Sequence, residues 1–382
     1  MTRILISTIM VSGLVGCGQS TAPPPVVDEN VSEAECIVFA KEFQAAVNAL
    51  DGKKVADSIA WAVMADRSVA EIKTSTKTRE SLKRGFVSSA SKSDSTFVKE
   101  MLNSGKDFEF LRAKSDGGKF RLLFRVFSEG VNYFELYPFR NKAGKIQAFD
   151  VYVFATSECM SETIRRLFLT AMPASELEGG KGSARDDAGA AGDAMAKATR
   201  AIQAGDAAEC LRLIETLPKR LQSDKATLLM RIRASASLGD DKYREAIERF
   251  QELHPNDPAG DLLGIDLFVV KKDVEGFKRA MKRLDDRVGG DPFLHAVSSS
   301  SLLAMGRPEL ALEEAETAVK KSPSKFARWA KVRALAGVKR YTDAAAELRD
   351  LERDVKETFD VSDDEMAGFR NSKEYKAMRA GR

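Results

Sequence analysis

Histidine is nearly missing from this 382-residue chain: only His254 and His295 occur. Neither has a second His or a Cys at metal-ligand spacing, so the sequence offers no zinc centre and calls for no metal. The first half of the chain has no His at all, and an acid–base pair there would have to use carboxylates, Lys or Tyr. Cysteine is scarce too, with Cys17, Cys36, Cys159 and Cys210 only, and tryptophan is limited to Trp61 and Trp329. Charge of one sign is also lacking. The 60 Lys plus Arg stand against 57 Asp plus Glu, a net +3 spread along helical segments, which excludes a general nucleic-acid-binding role on charge grounds. The length suffices for two or three domains.

The amino terminus reads as a targeting segment. Arg3 gives the positive start, and Ile4 to Val15 is an apolar run too short to span a bilayer in comfort. Leu14-Val15-Gly16-Cys17 then resembles a bacterial lipobox. That resemblance implies that residues 1–16 are removed and that Cys17 becomes the lipid-modified first residue, with acyl chains stabilising membrane attachment by about 0.8 kcal/mol per buried methylene. In the lipoproteins it resembles, Asp after the Cys retains the protein at the inner membrane. Gly18 stands there instead and implies the outer membrane, facing the periplasm. The alternative is an ordinary secretory signal with an incidental Cys. Residues 17–30, with Pro23-Pro24-Pro25 at their centre, read as an extended tether.

Residues 31–174 read as an α+β domain. Ser32-Glu33-Ala34-Glu35 is a capping-box pattern, and Cys36, Phe39, Ala40, Phe43, Ala46, Val47 and Leu50 follow at helical spacing. Asp51-Gly52 breaks that helix, a shorter one carries Trp61, and more helix is expected between Thr78 and Asn103 around a Ser-rich interruption at 88–95. From Phe108 to Phe154 the chain holds 12 of its 29 aromatic residues, divided by the turn signals Asp116-Gly117-Gly118, Glu129-Gly130 and Asn141-Lys142-Ala143-Gly144 into four strand-like runs. Phe120, Leu122, Phe124 and Val126 alternate with Arg121 and Arg125, as in an antiparallel strand with one buried and one wetter face. Ser157 offers an N-cap to a closing helix. Helices followed by a curved antiparallel sheet are weakly similar to the cystatin-like, nuclear-transport-factor-like cone.

Asp150 is the one acid embedded in an apolar strand, and Arg125 and Glu135 stand mid-strand in neighbours that could face it. Two readings stay open: a carboxylate poised in a pocket, or an Asp satisfied by a structural ion pair. Cys36 and Cys159 open the first and last helices of the domain, and are either a disulfide in an oxidising compartment or two buried thiols. Cys210 reads as a structural small residue.

Residues 175–192 read as a flexible Gly-rich linker. Beyond it the sequence repeats itself. One unit carries Leu228-Leu229-Met230-Arg231-Ile232-Arg233-Ala234, Leu238-Gly239, Tyr243, Ala246, Phe250 and Pro258, and a later one Leu302-Leu303, Gly306, Ala311, Ala315, Ala318 and Pro323. Gly ends a first helix, a small residue lets the second approach it, and Pro stops the second. About five such units, two of them diverged, resemble the tetratricopeptide family over residues 193–355. Arg231 and Ile232 depart from that family's usual Leu-Gly pair, and two extra residues separate Gly239 from Tyr243. The resemblance implies an all-α solenoid whose concave face holds an extended peptide or a helix of another protein. On the repeat register that face receives Arg233, Phe293, Phe326, Trp329 and Arg333, suiting a peptide with acidic and apolar residues; alternatively Phe326 and Trp329 only pack between helices. Residues 356–382, with a second capping-box pattern at Ser362-Asp363-Asp364-Glu365, read as helices covering the open end of the array.

The expectation is therefore an α+β domain followed by a tetratricopeptide-like solenoid in a membrane-anchored lipoprotein that binds a protein or peptide. It needs no cofactor, is not an enzyme, and has no assigned oligomeric state. The alternative is an α+β cone that binds or weakly processes a small molecule and is positioned by the array.

Overall fold

The computed structural model describes residues 30–103, 107–127, 130–172, 194–202, 204–255 and 257–380. The expected signal segment (1–16), most of the expected tether including Cys17, and the expected linker at 175–192 lie outside the described residues. Two compact units divide at Leu263 and Gly264, inside one helix of the expected array.

In the first unit, α1 (Glu33–Asn48) starts where its capping box predicts. Ser32 N–H donates to Glu35 Oε2 at 3.0 Å, Glu35 N–H donates to Ser32 Oγ at 3.4 Å, and Cys36, Phe39, Ala40, Phe43, Ala46 and Val47 form the buried face. Asp51 caps α2 (Gly52–Asp57) through Lys54 N–H at 3.0 Å, and α3 (Trp61–Val69), α4 (Thr76–Ala90) and α5 (Thr96–Asn103) follow. The sheet is an antiparallel meander in sequence order: β1 (Phe108–Asp116), β2 (Lys119–Phe127), β3 (Val131–Arg140), β4 (Ile146–Val153) and a two-residue β5 (Glu158–Cys159). Gly117 and Gly118 turn β1 into β2 at φ +57° and +81°, a region costly for other residues. The register slips at Phe110/Arg112 and at Tyr137/Pro138. The second slip falls where proline has no N–H to give the ladder, and such irregularities curve a sheet.

Phe43 from α1 meets Phe108 and Phe124 edge-on, each at 5.8 Å, so the α1 stripe and the inner face of the sheet share one core with Leu122, Leu136, Val151 and Val153. Burying an aromatic or aliphatic side chain of this size stabilises by about 1.5–3 kcal/mol. The closing helix α6 (Met160–Ala171) starts later than the Ser157 cap predicts. Cys159 is its N-cap, with Glu162 Oε2 accepting Cys159 N–H at 2.9 Å, and Ser157 sits in the preceding turn at φ +50°.

From residue 194 on, the described residues form a run of about a dozen helices, consistent with a helical solenoid. The first unit contains α7 (194–202), α8 (Ala207–Glu215), α9 (Lys219–Gln222), α10 (Lys225–Ser235) and α11 (Asp240–Leu253), with Cys210 and Ile214 of α8 buried between α7 and α10. The division between units crosses α12 (Pro258–Lys271).

The second unit continues with α13 (Val274–Val288), α14 (Pro292–Ala304), α15 (Pro308–Lys321), α16 (Lys325–Gly337) and α17 (Tyr341–Val355). Each of α14 to α17 packs on the next, and α14 also packs on α16, the neighbour relation of first helices in successive hairpins. Ala311, Ala315 and Ala318 are fully buried, so small side chains let α15 approach closely. Gly337 is required for the same reason, since a Cβ there would lie 2.9 Å from Leu303 Cδ2 and 3.1 Å from Pro308 Cβ. Prolines open α14 and α15, where the missing N–H costs nothing.

Lys356 ends α17 in the left-handed region at φ +56°. An extended stretch then leads to a 3₁₀ turn (Asp364–Met366), α18 (Ala367–Asn371) and α19 (Lys373–Ala380). Val361, Met366, Phe369 and Met378 join Val332, Leu335, Ala344 and Leu348 in one core, so this tail covers the last helix pair. The second capping box does not form: Ser362 Oγ donates to Asp360 Oδ2 at 2.7 Å, and the 3₁₀ turn begins without a side-chain cap. Among the described residues no helix is long and apolar enough to cross a membrane.

Candidate functional site

In the sheet domain the geometry gives Asp150 a structural environment. Asp150 is fully buried on β4. Its Oδ1 accepts Val151 N–H at 2.9 Å and Ser161 N–H at 3.1 Å; its Oδ2 accepts Arg67 Nε–H at 3.0 Å and the Ser161 hydroxyl at 2.5 Å. Arg67, from α3, also lies 5.1 Å from the centre of the Phe149 ring. Arg125 and Glu135 share the sheet face of Asp150 by register, but have their own surroundings. Arg125 pairs with Glu109 across β1 and β2. Burial raises the pKa of Glu135, and the nearby charges of Lys114 and Arg121 partly offset that shift. A pocket of about 510 Å³ opens elsewhere in this unit, between α1, α2 and the start of β4, lined by Ala34, Val38, Phe39 and Ile146 with Glu35, Lys54 and Lys145 among its polar residues. The Arg140 bond at 2.7 Å holds Glu35 well below the usual carboxylate range, at about 2.

The described cysteines are free thiols, so the Cys36–Cys159 disulfide weighed from the sequence is absent from the structure. The reason is the sheet. Cys36 is buried in the core between α1 and the inner face, whereas the Cys159 thiol lies 3.9 Å from the Tyr137 hydroxyl, and Tyr137 points away from that core by strand alternation with Leu136. Burial pushes the Cys36 thiol up to about 11, with Glu35 and Glu33 adding to it; burial also pushes Cys210 to about 11 and Cys159 higher still. These thiols are held protonated, the unreactive form. In the native protein, Cys36, Cys159 and Cys210 are expected to react slowly with a disulfide reagent, and all three to become reactive on unfolding without reductant. Mass mapping that finds Cys36 joined to Cys159 would contradict this arrangement.

The expected groove residues fall in both units. Arg233 lies on α10 of the first. The other four lie in the second, on α14 and α16. Phe293 at the start of α14 and Phe326 at the start of α16 meet edge-on at 5.4 Å, and Lys325 Nζ lies 5.3 Å from the Phe326 ring centre. Beside them His295 Nδ1 is 2.7 Å from Glu314 Oε2, and its Nε2 is 2.7 Å from Lys321 Nζ. An ammonium can only donate, so Nε2 accepts and the ring proton sits on Nδ1, facing the carboxylate.

Lys325, Trp329 and Arg333 follow at four-residue spacing, which puts them on one face of α16. Each meets the tail. Lys325 Nζ is 3.7 Å from Glu357 Oε2, the Trp329 and Phe359 rings lie 5.0 Å apart at 31°, and Arg333 Nη2 donates to Glu365 Oε2 at 2.6 Å. On the neighbouring face of α16, Arg328 donates to Glu347 and Asp354 at 2.7 Å each, and Lys331 donates to Glu347 at 2.9 Å. Burial alone would raise the Glu347 pKa, but these cationic partners hold it below its usual value.

Sequence reasoning missed the hub beneath this contact. Glu352 on α17 is buried and accepts Phe359 N–H at 3.0 Å and two Arg379 bonds at 2.9 Å each; Arg379 Nε donates to Tyr375 Oη at 3.0 Å. The available signal was position: Glu352 follows Leu348 and Leu351 on the buried face of α17.

Residues 226–345, from α10 into the first turns of α17, match a family model described as ChAPs (Chs5p-Arf1p-binding proteins). The matched segment is less than half of the chain and stops before the tail. No curated protein and no solved structure matches the chain.

Proposed function

We propose that this chain is a scaffold that binds another protein through its helical array, and that it performs no bond chemistry. The observation that carries the reading is the α16 face. Aromatic and cationic side chains stand there at helical spacing beside the Phe293–Phe326 pair, the composition that anchors interfaces. The family match points the same way, since the matched family is named for binding the proteins Chs5p and Arf1p. The tetratricopeptide-like register of the repeats supports an extended peptide or helix as the ligand, lying along a concave face. The lipobox-like Leu14-Val15-Gly16-Cys17 supports export and lipid anchoring through Cys17, and Gly18 supports an outer-membrane location facing the periplasm. In the α+β domain, both oxygens of Asp150 are taken by four donors, which counts against a catalytic carboxylate there.

Affinity capture by the intact chain tests the reading, run beside a chain ending before Gly179 and a Cys17→Ala variant. The expected outcome is a discrete protein lost from the shortened chain, with membrane attachment lost from the Cys17 variant. Equal capture by the shortened chain would move the function to the α+β domain.

A further inference from the structure

We propose that the Lys325–Trp329–Arg333 face of α16 is a docking site for an extended acidic and aromatic segment of a partner protein, and that residues 357–365 of this chain occupy that site in cis until displaced. The inference rests on the protein-binding reading above and adds the chemistry of the ligand and the control of access.

The stretch from Glu357 to Asp363 has no helix or strand of its own. Its residues alternate as an extended ligand would. Phe359 is half-buried against Trp329 and Val361 is buried, while Thr358, Asp360 and Ser362 are exposed. Its charge complements α16 at both ends, with Glu357 opposite Lys325 and Glu365 opposite Arg333. The segment therefore runs in the same direction as α16, carrying acid, aromatic and acid where the helix carries cation, aromatic and cation. Such a ladder specifies direction and register, whereas a cap needs only apolar cover. Further apolar cover comes from Met366, Phe369 and Met378, which share one core with Val361. Both outer contacts of the ladder are at partly exposed carboxylates, Glu357 at 57% and Glu365 at 48%. Exposed pairs of this kind contribute little to folding, so the hold on the segment rests on Phe359 N–H to Glu352, the Arg370 bonds to the Val361 and Ser362 carbonyls and the burial of Val361.

A tethered ligand competes at an effective concentration of about a millimolar, so an external segment binds with its affinity reduced by the fraction of time that the site is open. Weakening the tethered copy by about 1.4 kcal/mol should tighten external binding about tenfold.

The test uses full-length protein and a labelled peptide of residues 356–366 followed by fluorescence anisotropy, with a scrambled peptide as control. The F359S/E365K variant is expected to bind the peptide about tenfold more tightly than wild type. Adding W329A and R333E should abolish that gain, and salt should weaken it. The single variant E365K leaves Phe359, Val361 and Met366 packed, and is expected to shift binding in the same direction by a few fold, which keeps the test valid if the double variant unfolds. A folded tail variant that binds no better than wild type would overturn the proposal, as would binding indifferent to W329A and R333E. Concentration-dependent dimers of wild type, seen by light scattering and lost in F359S/E365K, would give the seat to the tail of a second copy and overturn the assignment to a partner protein. If the peptide result fails while affinity capture succeeds, the binding reading stands and only this site assignment falls.

Discussion

Asp150→Ala is expected to destabilise the first unit by about 3 kcal/mol, the lower end of the cost of breaking a buried ion pair. The loss has two parts. The Arg67 guanidinium, only 17% exposed, keeps its charge without a partner, and the Ser161 and Val151 N–H groups lose their acceptor. Each such orphaned donor carries a desolvation cost of about 1–3 kcal/mol, moderated where water can reach. For a unit of this size the midpoint of thermal unfolding should fall by roughly 6–12 °C. Asp150→Asn should recover part of the loss, because one oxygen remains to accept the two N–H bonds. Arg67→Met in the Asp150→Ala background should cost little more, since the pair is already broken. A melting temperature within about 2 °C of wild type for Asp150→Ala would show that the four bonds do not hold β4, α3 and α6 together.

The second large effect is expected at Glu352. Its carboxylate joins the extended tail segment, through Phe359 N–H, to α19, through Arg379. Glu352→Ala strands a guanidinium that is 25% exposed and a backbone donor, at a cost of about 2–3 kcal/mol. Most of that cost falls on the docked state of the tail, so the open population should rise roughly tenfold or more. Cleavage after Lys356 by a lysine-specific protease should accelerate by a similar factor when opening is fast relative to cleavage. Glu352→Gln retains an acceptor and should lie in between. An unchanged cleavage rate in Glu352→Ala would mean that the tail is held by its apolar contacts alone. Peptide binding to α16 should strengthen in the same variant, which links the hub to the docking site.

Local features were legible in the sequence and long-range ones were not. The Ser32/Glu35 box fixed the start of α1, and Gly117-Gly118 fixed the first hairpin, because each is decided within four residues. The alternation of Leu122, Phe124 and Val126 names the inner face of β2, since a pleat has period two wherever it is placed, but the Arg125 face expected to be wetter is buried as well, because Leu123 and Arg125 are covered there. Asp150 stood out as an acid in an apolar strand, but its partner Arg67 lies 83 residues away on a helix that the strand pattern says nothing about. Cys36 and Cys159 begin the first and last helices of the domain, which a one-dimensional reading brings together and the intervening sheet keeps apart. The Ser362/Glu365 pattern failed because Asp360 competes for the serine hydroxyl and Arg333 for the glutamate. Trp329 and Arg333 stand one helical turn apart in the sequence, but nothing near them says that residues 359 and 365 return to cover them.

In the proposed function, the α14–α16 face of the second unit receives a protein ligand. Site-specific photo-crosslinking in cells puts this to the test, with the reactive group at position 326 of the full chain and, as control, at Lys278 on the exposed side of α13. One discrete crosslinked protein is expected from position 326, lost when W329A and R333E are added, and none from position 278. Crosslinks that are absent at 326, or that persist through both substitutions, would contradict it.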